Sequence, residues 1–398
     1  MIKQQPLRNV QVLDFTQVLT GPFATMVLGD LGAEVIKVEP PKGDETRSWP
    51  PFFENDKSGY FMSLNRNKRS ITLNLKNEQA KHIVYQLVQQ SDIVIENFSP
   101  GVVKKLSIDY DTLRQHNSEL IYCSISGFGQ YGKYKSKRAY DPIIQGMTGL
   151  MSITGDRDGP PAKVGIPITD LVASLYGVIS VIAAYIHKQN SGEGQYIDVA
   201  LYDSMVSFLT IMAMEYFVTG NSPSRWGLDH IHRVPARAFQ TKDGEYVQVA
   251  ATNDVMFPKF CDLLGLSELK NDDRYNTNAK RVQRRDEINP IFEEKMKEKT
   301  RAEWLRLFED NGLPCGPIMD LEEVFSDSHV RDREMLFDME QPGLGLIKQL
   351  GFPYKFSLTP PQAQMRNPEL GEHTEEILKK KLQFTDEQID GFKGQSVI

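Results

Sequence analysis

Apolar and polar positions in the first third of the chain form short, nearly continuous apolar runs separated by amphipathic segments. Four runs have the length and composition of buried strands, at residues 10–15, 34–38, 92–96 and 120–124. Helical patterns lie between them, one from Thr20 to Gly32 with Pro22 in its first turn and one over residues 78–90. Strands that alternate with helices predict an α/β fold built on a parallel sheet.

The turn that follows the first predicted strand separates this fold from the common nucleotide-binding version. Residues 16–22 lack the Gly-x-Gly-x-x-Gly pattern that lets a backbone approach a dinucleotide pyrophosphate. We therefore predict a Rossmann-like parallel sheet without the NAD fingerprint, and such a fold by itself does not define a function.

A different pattern occupies the second half of the chain. Residues 239–251 alternate like a hairpin with Asp243-Gly244 at its turn, and helical patterns follow at 284–297, with a break or kink expected at Pro290, and at 300–310. We predict a large Rossmann-like domain from residues 1–200 with 330–398, and a smaller α+β domain at 225–325. Residues 201–224 and 326–330 would be linkers.

Composition and charge narrow the class of protein. The chain has 398 residues, 40% of them hydrophobic and 25% charged, which is typical of a soluble protein. A net charge of −7 argues against nucleic-acid binding.

Cys123, Cys261 and Cys315 have no metal-ligand spacing, so we expect no metal and a reducing compartment. The N-terminus lacks a signal-peptide pattern, and the uncharged run 171–186 is shorter than a bilayer span, so we expect a cytoplasmic protein without a membrane partner.

Asp170 is the candidate functional residue that the residues themselves indicate most clearly. It opens the uncharged run 171–186, which reads as a long buried helix. A carboxylate in this position is typical of a helix N-cap, where it accepts backbone N–H bonds. It can also be a nucleophile that is partly desolvated and reachable by a substrate. The two roles are compatible, and the spacing alone favours the cap.

Ten blocks of residues, in one order over almost the whole chain, resemble the family III CoA-transferases. This family includes formyl-CoA:oxalate and carnitine CoA-transferases and the α-methylacyl-CoA racemases. One block reads Glu96-Asn97-Phe98-Ser99-Pro100-Gly101. The others lie at residues 12–15 with 21–22, 31–39, 67–70, 126–129, 139–141, 149–151, 192–195, 312–317 and 370–374.

The resemblance implies a mechanism and an assembly. Asp170 matches the catalytic aspartate of the transferase branch, which attacks an acyl-CoA to form a mixed anhydride and then an aspartyl-CoA thioester. Acyl-CoA and a carboxylic acid would be the substrates, and no metal is implied. The family's open-ring chains form interlocked homodimers, so we expect a homodimer here.

The family's CoA contacts map onto specific positions of this chain. They are Leu19, Thr20, Leu73, Leu75, Lys76, Asn97, Phe98, Ser99, Lys105, Arg138, Ala139, Tyr140 and Asp141. Lys105 and Arg138 have the charge to pair with the CoA phosphates, Asn97 offers polar contacts, and Phe98 offers an apolar wall. Pro40 and Leu19 depart from the formyl-CoA enzymes, which carry an arginine and a glutamine there.

Arginines suggest which acids are exchanged. Arg225, Arg233 and Arg237 lie in one loop-like stretch, and guanidinium groups bind carboxylates through two parallel hydrogen bonds. This stretch, together with Arg47, is similar to the succinyl-CoA:dicarboxylate transferases of the family. We therefore expect succinyl-CoA or a related dicarboxylyl-CoA as the donor.

Three alternatives remain at this stage. The four-glycine run of the formyl-CoA enzymes is missing, which argues against a formyl-CoA or acetyl-CoA:oxalate transferase. Tyr140 stands where the racemase branch has a histidine, which argues against an isomerase that needs an acid and a base on opposite faces of the α-carbon. A non-catalytic CoA-binding protein would not need Asp170 in its full motif.

Overall fold

The computed structural model describes residues 4–398, which group into two compact units. The first unit comprises the residues up to Leu150 together with Lys163–Thr219 and Arg331–Ile398, and the second comprises Met151–Ala162 and Gly220–Val330. The segment 151–162, which the sequence pattern assigned to the large domain, thus groups with the second unit. Most of the predicted linker 201–224 is helical, because two helices extend to Thr219.

The strands are few and short. Within residues 4–398 they are β1 Gln11–Asp14, β2 Glu34–Glu39, β3 Lys68–Thr72, β4 Ile93–Glu96, β5 Ile121–Ser126, β6 Tyr196–Ala200, β7 Ala236–Gln240, β8 Tyr246–Ala250, β9 Cys315–Pro317, β10 Leu336–Gln341 and β11 Gly345–Leu350.

The helices range from single turns to one of 24 residues. In the same range of residues the helices up to the end of the first sheet are α1 Thr20–Asp30, α2 Gly59–Met62, α3 Glu78–Val88, α4 Val102–Lys105, α5 Tyr110–Leu113, α6 Asp141–Met147 and α7 Ile168–Ser191. Those that follow are α8 Leu201–Phe208, α9 Thr210–Thr219, α10 Met256–Leu263, α11 Ser267–Lys270, α12 Asn278–Gln283, α13 Arg285–Met296, α14 Arg301–Asp310, α15 Leu321–Ser326, α16 Ser328–Asp332, α17 Thr374–Lys380 and α18 Asp386–Gly394.

A six-stranded parallel sheet in the order β3-β2-β1-β4-β5-β6 forms the centre of the first unit. The predicted α/β fold is confirmed, and β3 and β6 are strands that the sequence pattern did not identify. Val12 of β1 packs into a cluster with α1 and α7, whereas Leu13 packs into a second cluster with α3, α17 and α18. Because both faces are covered, the central strands β4 and β5 are largely apolar instead of alternating, whereas β2 and β3 carry the buried lysines Lys37 and Lys68.

Helix α7 crosses one face of this sheet. Gly177 lets the helix approach β5 closely, since a Cβ there would lie 3.1 Å from Ile125 Cδ1.

The full α7 helix has 24 residues and, by length and composition alone, could cross a bilayer. The pair α8 and α9, bent by 68°, passes the same test when taken as one span. The helix is therefore longer than the uncharged run 171–186, on which the sequence argument against a membrane span was based. The core helices of soluble proteins can have the same length and composition.

The second unit has its own core around the antiparallel sheet β7-β8-β9. The hairpin predicted at residues 239–251 is present, with Gly244 in the left-handed region at its turn. Helix α13 continues through Pro290, so the predicted break is absent. Phe260, Phe292 and Trp304 fill the space between sheet and helices, which gives this unit an independent apolar centre.

Candidate active site

The loop between β1 and α1 is held in a defined conformation from several sides. Asn97, after β4, bonds to both main-chain groups of Gln17: its Oδ1 accepts from Gln17 N at 2.9 Å and its Nδ2 donates to Gln17 O at 2.7 Å. The next residue, Val18, has φ +70°, a left-handed conformation that is costly for a β-branched side chain. Val18 N donates to Asp44 Oδ1 at 3.3 Å, which helps to hold this strained residue in place.

Four fully or nearly fully buried charges lie at the end of β1 and its neighbours: Asp14, Lys37, Asp44 and Lys68. Lys37 Nζ lies 2.9 Å from Asp44 Oδ2, and Lys68 Nζ lies 3.2 Å from Asp14 Oδ2. Burial alone would raise the pKa of Asp44, but Lys37 and hydrogen bonds from Thr46 lower it to about 2. Burial lowers the pKa of Lys68 to about 8, which the attraction of Asp14 offsets only in part. The pairing therefore keeps carboxylates charged inside the protein.

Asp170 lies in the first turn of α7, and its carboxylate faces the first residue of α1. Thr20 Oγ1 donates a short hydrogen bond to Asp170 Oδ1. Ser174 Oγ lies between the two helices, 2.6 Å from Thr20 O and 2.7 Å from Asp170 O, and these two carbonyl oxygens share its one proton. The N-cap residue of α7 is Pro167, and Asp170 is the acidic residue of its first turn. No backbone N–H group among residues 4–398 donates to the Asp170 carboxylate, so Asp170 is not the N-cap that the spacing favoured, although its charge complements the helix dipole.

The function of a cap is performed by Asp141, at the start of α6. Its Oδ1 accepts from Thr169 N at 3.0 Å and from Thr169 Oγ1 at 2.9 Å, and its Oδ2 accepts from Gln145 Nε2 at 2.7 Å. Asp141 thus satisfies a free N–H group in the first turn of α7 and leaves Asp170 available. Sequence spacing does not reveal this exchange, because the two residues belong to different helices.

The pKa of Asp170 is raised to about 6. The largest cause is burial, which disfavours the charged carboxylate; the Thr20 hydrogen bond lowers the pKa, and the nearby charge of Asp141 raises it. A carboxyl group with such a pKa is ionised at neutral pH, yet it is a stronger base than an exposed aspartate. Perturbed carboxyl groups that line a cavity are typical of active sites.

A cavity of about 420 Å³ opens in front of Asp170. Six of the thirteen predicted CoA contacts line it: Leu19, Thr20, Asn97, Ala139, Tyr140 and Asp141. The sequence did not single out Tyr60 or Lys163, which also line this cavity, and it marked Ser126 only as part of the family block 126–129. Lys163 is seven positions before Asp170 in the chain, and this proximity was the one available signal for it. Nothing local in the sequence marks Tyr60, whose pKa burial raises to about 12.

A second, smaller cavity has a volume of about 160 Å³. Like the first cavity, it borders the β1–α1 loop and the segment that follows β4. Four further predicted CoA contacts line it: Leu73, Leu75, Lys76 and Phe98. The Phe98 main chain is fixed by Glu96, whose Oε2 accepts from Phe98 N at 2.8 Å. Gln17 lines the small cavity, whereas the adjacent Val18 lines the large one. One short loop therefore borders both spaces.

Other predicted residues lie outside these two cavities. Ser99, Lys105 and Arg138 are exposed and line neither. Arg47 is paired with both carboxylate oxygens of Glu39, at 2.8 and 2.7 Å, and it stacks on the Phe61 ring.

The three loop arginines belong to the second unit. Arg225 donates to the carbonyls of Asp156 and Gly159, and Arg237 is paired with Glu293 at 2.7 Å. Arg233 is exposed. Two of the three guanidinium groups thus have partners within the protein, and their roles toward substrate stay predictions. No cluster of three or more metal-ligating side chains occurs among residues 4–398.

Comparison with known proteins assigns the family. The model of CoA-transferase family III matches residues 7–374. Succinyl-CoA:glutarate CoA-transferase from Mus musculus is 41% identical over 99% of this chain and 90% of the mouse protein. Succinyl-CoA:mesaconate CoA-transferase from Haloarcula hispanica is 39% identical over 94% of this chain and 95% of its own length. The crystal structure of a CAIB/BAIF family protein from Brucella suis has a TM-score of 0.85 and 39% identity, and the match covers 94% of this chain and 99% of that one.

A parallel α/β sheet with an aspartate-lined cavity at its loops, together with these matches, defines an acyl-CoA enzyme. The chain belongs to CoA-transferase family III. The family resemblance read from the sequence blocks is confirmed, and so is the prediction that the protein is an enzyme.

The raised pKa of Asp170 predicts a pH-dependent effect on stability. A carboxylate whose pKa burial raises from 3.8 to about 6 lowers the free energy of unfolding. This destabilisation is fully present above about pH 6 and absent below pH 3.8. Asp170→Asn should therefore raise the free energy of unfolding by up to about 3 kcal/mol near pH 8 and leave it almost unchanged near pH 4. Thermal unfolding at both pH values checks this. An equal change at both would contradict it.

Proposed function

We propose that this enzyme moves CoA from succinyl-CoA to a second dicarboxylic acid, with Asp170 as the nucleophile. The observation that carries the proposal is the Asp170 carboxylate at the cavity, with Oδ1 bonded to Thr20 and no donor to Oδ2 among residues 4–398. The donor and acceptor are suggested by the mouse and Haloarcula hispanica relatives, whose names give succinyl-CoA with glutarate or mesaconate.

The reaction divides into four displacements at three carbons, two of them at the carbonyl carbon of the Asp170 side chain. Asp170 Oδ2 attacks the thioester carbon of succinyl-CoA, the carbon–sulfur bond breaks, and a mixed anhydride and CoA thiolate form. The thiolate attacks the carbonyl carbon of the Asp170 side chain and expels succinate, which carries Oδ2 away. An acceptor carboxylate attacks the resulting aspartyl-CoA thioester and releases the thiolate. Attack of the thiolate on the acceptor's acyl carbon yields the new acyl-CoA and free Asp170.

This sequence of steps predicts two experimental results, and both depend on Asp170. Purified enzyme given succinyl-CoA and a mixture of mono- and dicarboxylic acids should form a new acyl-CoA, and Asp170→Ala should abolish it. With an acceptor labelled by oxygen-18 in its carboxylates, the peptide containing Asp170 should gain the label after turnover. Mass spectrometry measures both. Asp338→Ala, an exposed substitution on β10, is the matched control.

Two outcomes would reject this proposal in different ways. Unchanged transfer by Asp170→Ala would remove Asp170 from the mechanism. Transfer without oxygen-18 in Asp170 would exclude the anhydride route and leave direct transfer. Exchange of the α-hydrogen of a 2-methylacyl-CoA with deuterated solvent, without CoA transfer, would support the isomerase alternative instead.

We further propose that Lys163 binds the distal carboxylate of the dicarboxylic substrates. Lys163 lines the Asp170 cavity, is exposed and has no carboxylate partner among residues 4–398, its Nζ donating to Val164 O at 3.4 Å, whereas Arg47 and Arg237 are already paired with Glu39 and Glu293. Loss of a charge-assisted hydrogen bond costs roughly 1.5–3 kcal/mol, so Lys163→Gln should lower kcat/KM for glutarate about tenfold or more. Butyrate, which lacks the second carboxylate, should be affected little.

The control for this substitution is Lys348→Gln on the exposed hairpin β10–β11, which should change neither substrate. Arg233→Gln tests the arginine-loop alternative under the same conditions. Equal loss for glutarate and butyrate in Lys163→Gln, or a selective loss in Arg233→Gln alone, would move the binding site for the distal carboxylate away from Lys163.

We also propose an interlocked homodimer. Apolar side chains are exposed on α7 and α9 of the first unit, among them Ile179, Ile186, Ile211, Phe217 and Val218. Contiguous exposed apolar surface is typical of an interface. Light scattering should give twice the chain mass of 45.2 kDa, and replacing Phe217 and Val218 by serine should shift the protein toward the monomer. A monomeric, active wild-type enzyme would contradict the proposal.

A further inference from the structure

The hydrogen bond between Thr20 and Asp170 suggests a role for a hydroxyl that the fold brings to the nucleophile. We infer that the Thr20 hydroxyl stabilises the oxyanion that forms on Asp170 Oδ1 each time the Asp170 carbonyl carbon is attacked. This inference rests on the proposed function, because it concerns the two displacements at that carbon.

Geometry assigns different tasks to the two Asp170 oxygens. Thr20 Oγ1 donates to Oδ1, and among residues 4–398 no other donor reaches the carboxylate. Oδ2 is therefore the oxygen free to attack succinyl-CoA and to become the bridging atom of the anhydride. Oδ1 then becomes the carbonyl oxygen of both the anhydride and the aspartyl-CoA thioester, and it still faces Thr20.

The chemistry of those intermediates requires a donor at this position. When CoA thiolate or the acceptor carboxylate adds to the Asp170 carbonyl carbon, the carbon–oxygen double bond opens and the electron pair moves to Oδ1. Collapse restores the double bond and expels succinate in one case and CoA thiolate in the other. A donor already aimed at Oδ1 stabilises this charge without reorganising, which is the main contribution of oxyanion-binding groups in acyl transfer.

Thr20 is held in place by features that extend well beyond its own side chain. It is the first residue of α1, and its carbonyl accepts from Ser174 Oγ at 2.6 Å. The preceding loop is bonded to Asn97 and Asp44. The positive end of the α1 dipole lies at the same point and favours negative charge on the neighbouring oxygen.

Other charged or titratable groups near Asp170 do not supply the same contact. Asp141 is an acceptor toward α7 and raises the pKa of Asp170, and Tyr60 of α2 is kept neutral by a pKa raised to about 12. Tyr140 and Lys163 line the cavity, and neither donates to the Asp170 carboxylate. Loss of the Thr20 hydroxyl would therefore have no replacement among the described residues.

Thr20→Val tests the inference because it removes the hydroxyl and keeps the shape of the side chain. Enzyme mixed with succinyl-CoA is quenched at short times, and the aspartyl-CoA adduct is followed by intact-protein mass spectrometry, first as it forms and then as glutarate discharges it. Both rates should fall about 10²-fold in Thr20→Val. Thr20→Ser, which keeps the hydroxyl, should recover most of the loss.

The pH profile separates this role from a change in the ground state. Because the hydrogen bond from Thr20 lowers the pKa of Asp170, Thr20→Val should move the acidic limb of kcat/KM to higher pH. On the alkaline plateau Asp170 is ionised in both enzymes, so the rate deficit that remains there measures the oxyanion contact. A shift of the limb with equal plateau rates would overturn the inference.

The outcomes distinguish this inference from the proposed function. An active wild type that forms no adduct, with Asp170→Ala equally active, refutes the aspartyl mechanism itself. A wild type that forms the adduct, with Thr20→Val forming and discharging it at the same rate, refutes the role of Thr20 alone. If Thr20→Val does not fold, Thr20→Ala and Thr20→Ser compare the same rates, and equal rates in those two variants would also reject the inference.

Discussion

The position of Asp170 depends on a set of opposite charges buried at the carboxyl end of β1. Lys37 Nζ bonds to Thr16 O at 2.8 Å as well as to Asp44, and Lys68 Nζ bonds to Pro22 O at 2.9 Å as well as to Asp14. Burying these charges costs several kcal/mol per ion, which only close pairing and further hydrogen bonds offset. Because Lys37 bonds to the main chain of the β1–α1 loop and Lys68 to that of the first turn of α1, satisfying the charges also helps to determine where α1 begins. The start of α1 in turn places the Thr20 hydroxyl.

Two helices then meet at the Asp170 carboxylate. Asp141 occupies the acceptor position at the start of α7, and Ser174 bonds the first turn of α7 to the first residue of α1. The Asp170 carboxylate is left with one hydrogen bond from the described residues and with a raised pKa, which is unfavourable for folding and favourable for a nucleophile. Val18, strained at φ +70°, adds a second local cost at the same cavity. Such costs at functional sites are common because the surrounding contacts maintain them.

The pattern of apolar and polar residues predicted those elements whose conformation depends mainly on residues close together in the chain. Four of the six strands in the large sheet were predicted, since short apolar runs bounded by turns have few other stable conformations. β3 was missed because Lys68, Arg69 and Ser70 make it polar, and its buried lysine is acceptable only beside Asp14. β6 was missed because Asp198 interrupts a short run whose place at the sheet edge depends on pairing with β5. At Pro290 the sequence predicted a break or a kink, and α13 continues through that residue without a break.

The sequence by itself determined the α/β class and the family blocks, because these follow from local periodicity and from residues adjacent in the chain, and the family resemblance made Asp170 the candidate nucleophile. Tertiary structure decided what Asp170 contacts: Thr20 lies 150 positions away, and Asp141 replaces Asp170 as the group that satisfies α7. It also decided that Arg47 and Arg237 are paired internally, while Lys163 faces the cavity. The physical reason is that hydrogen bonds and ion pairs act over a few ångströms in space. Which groups come within that distance depends on how the sheet and helices pack.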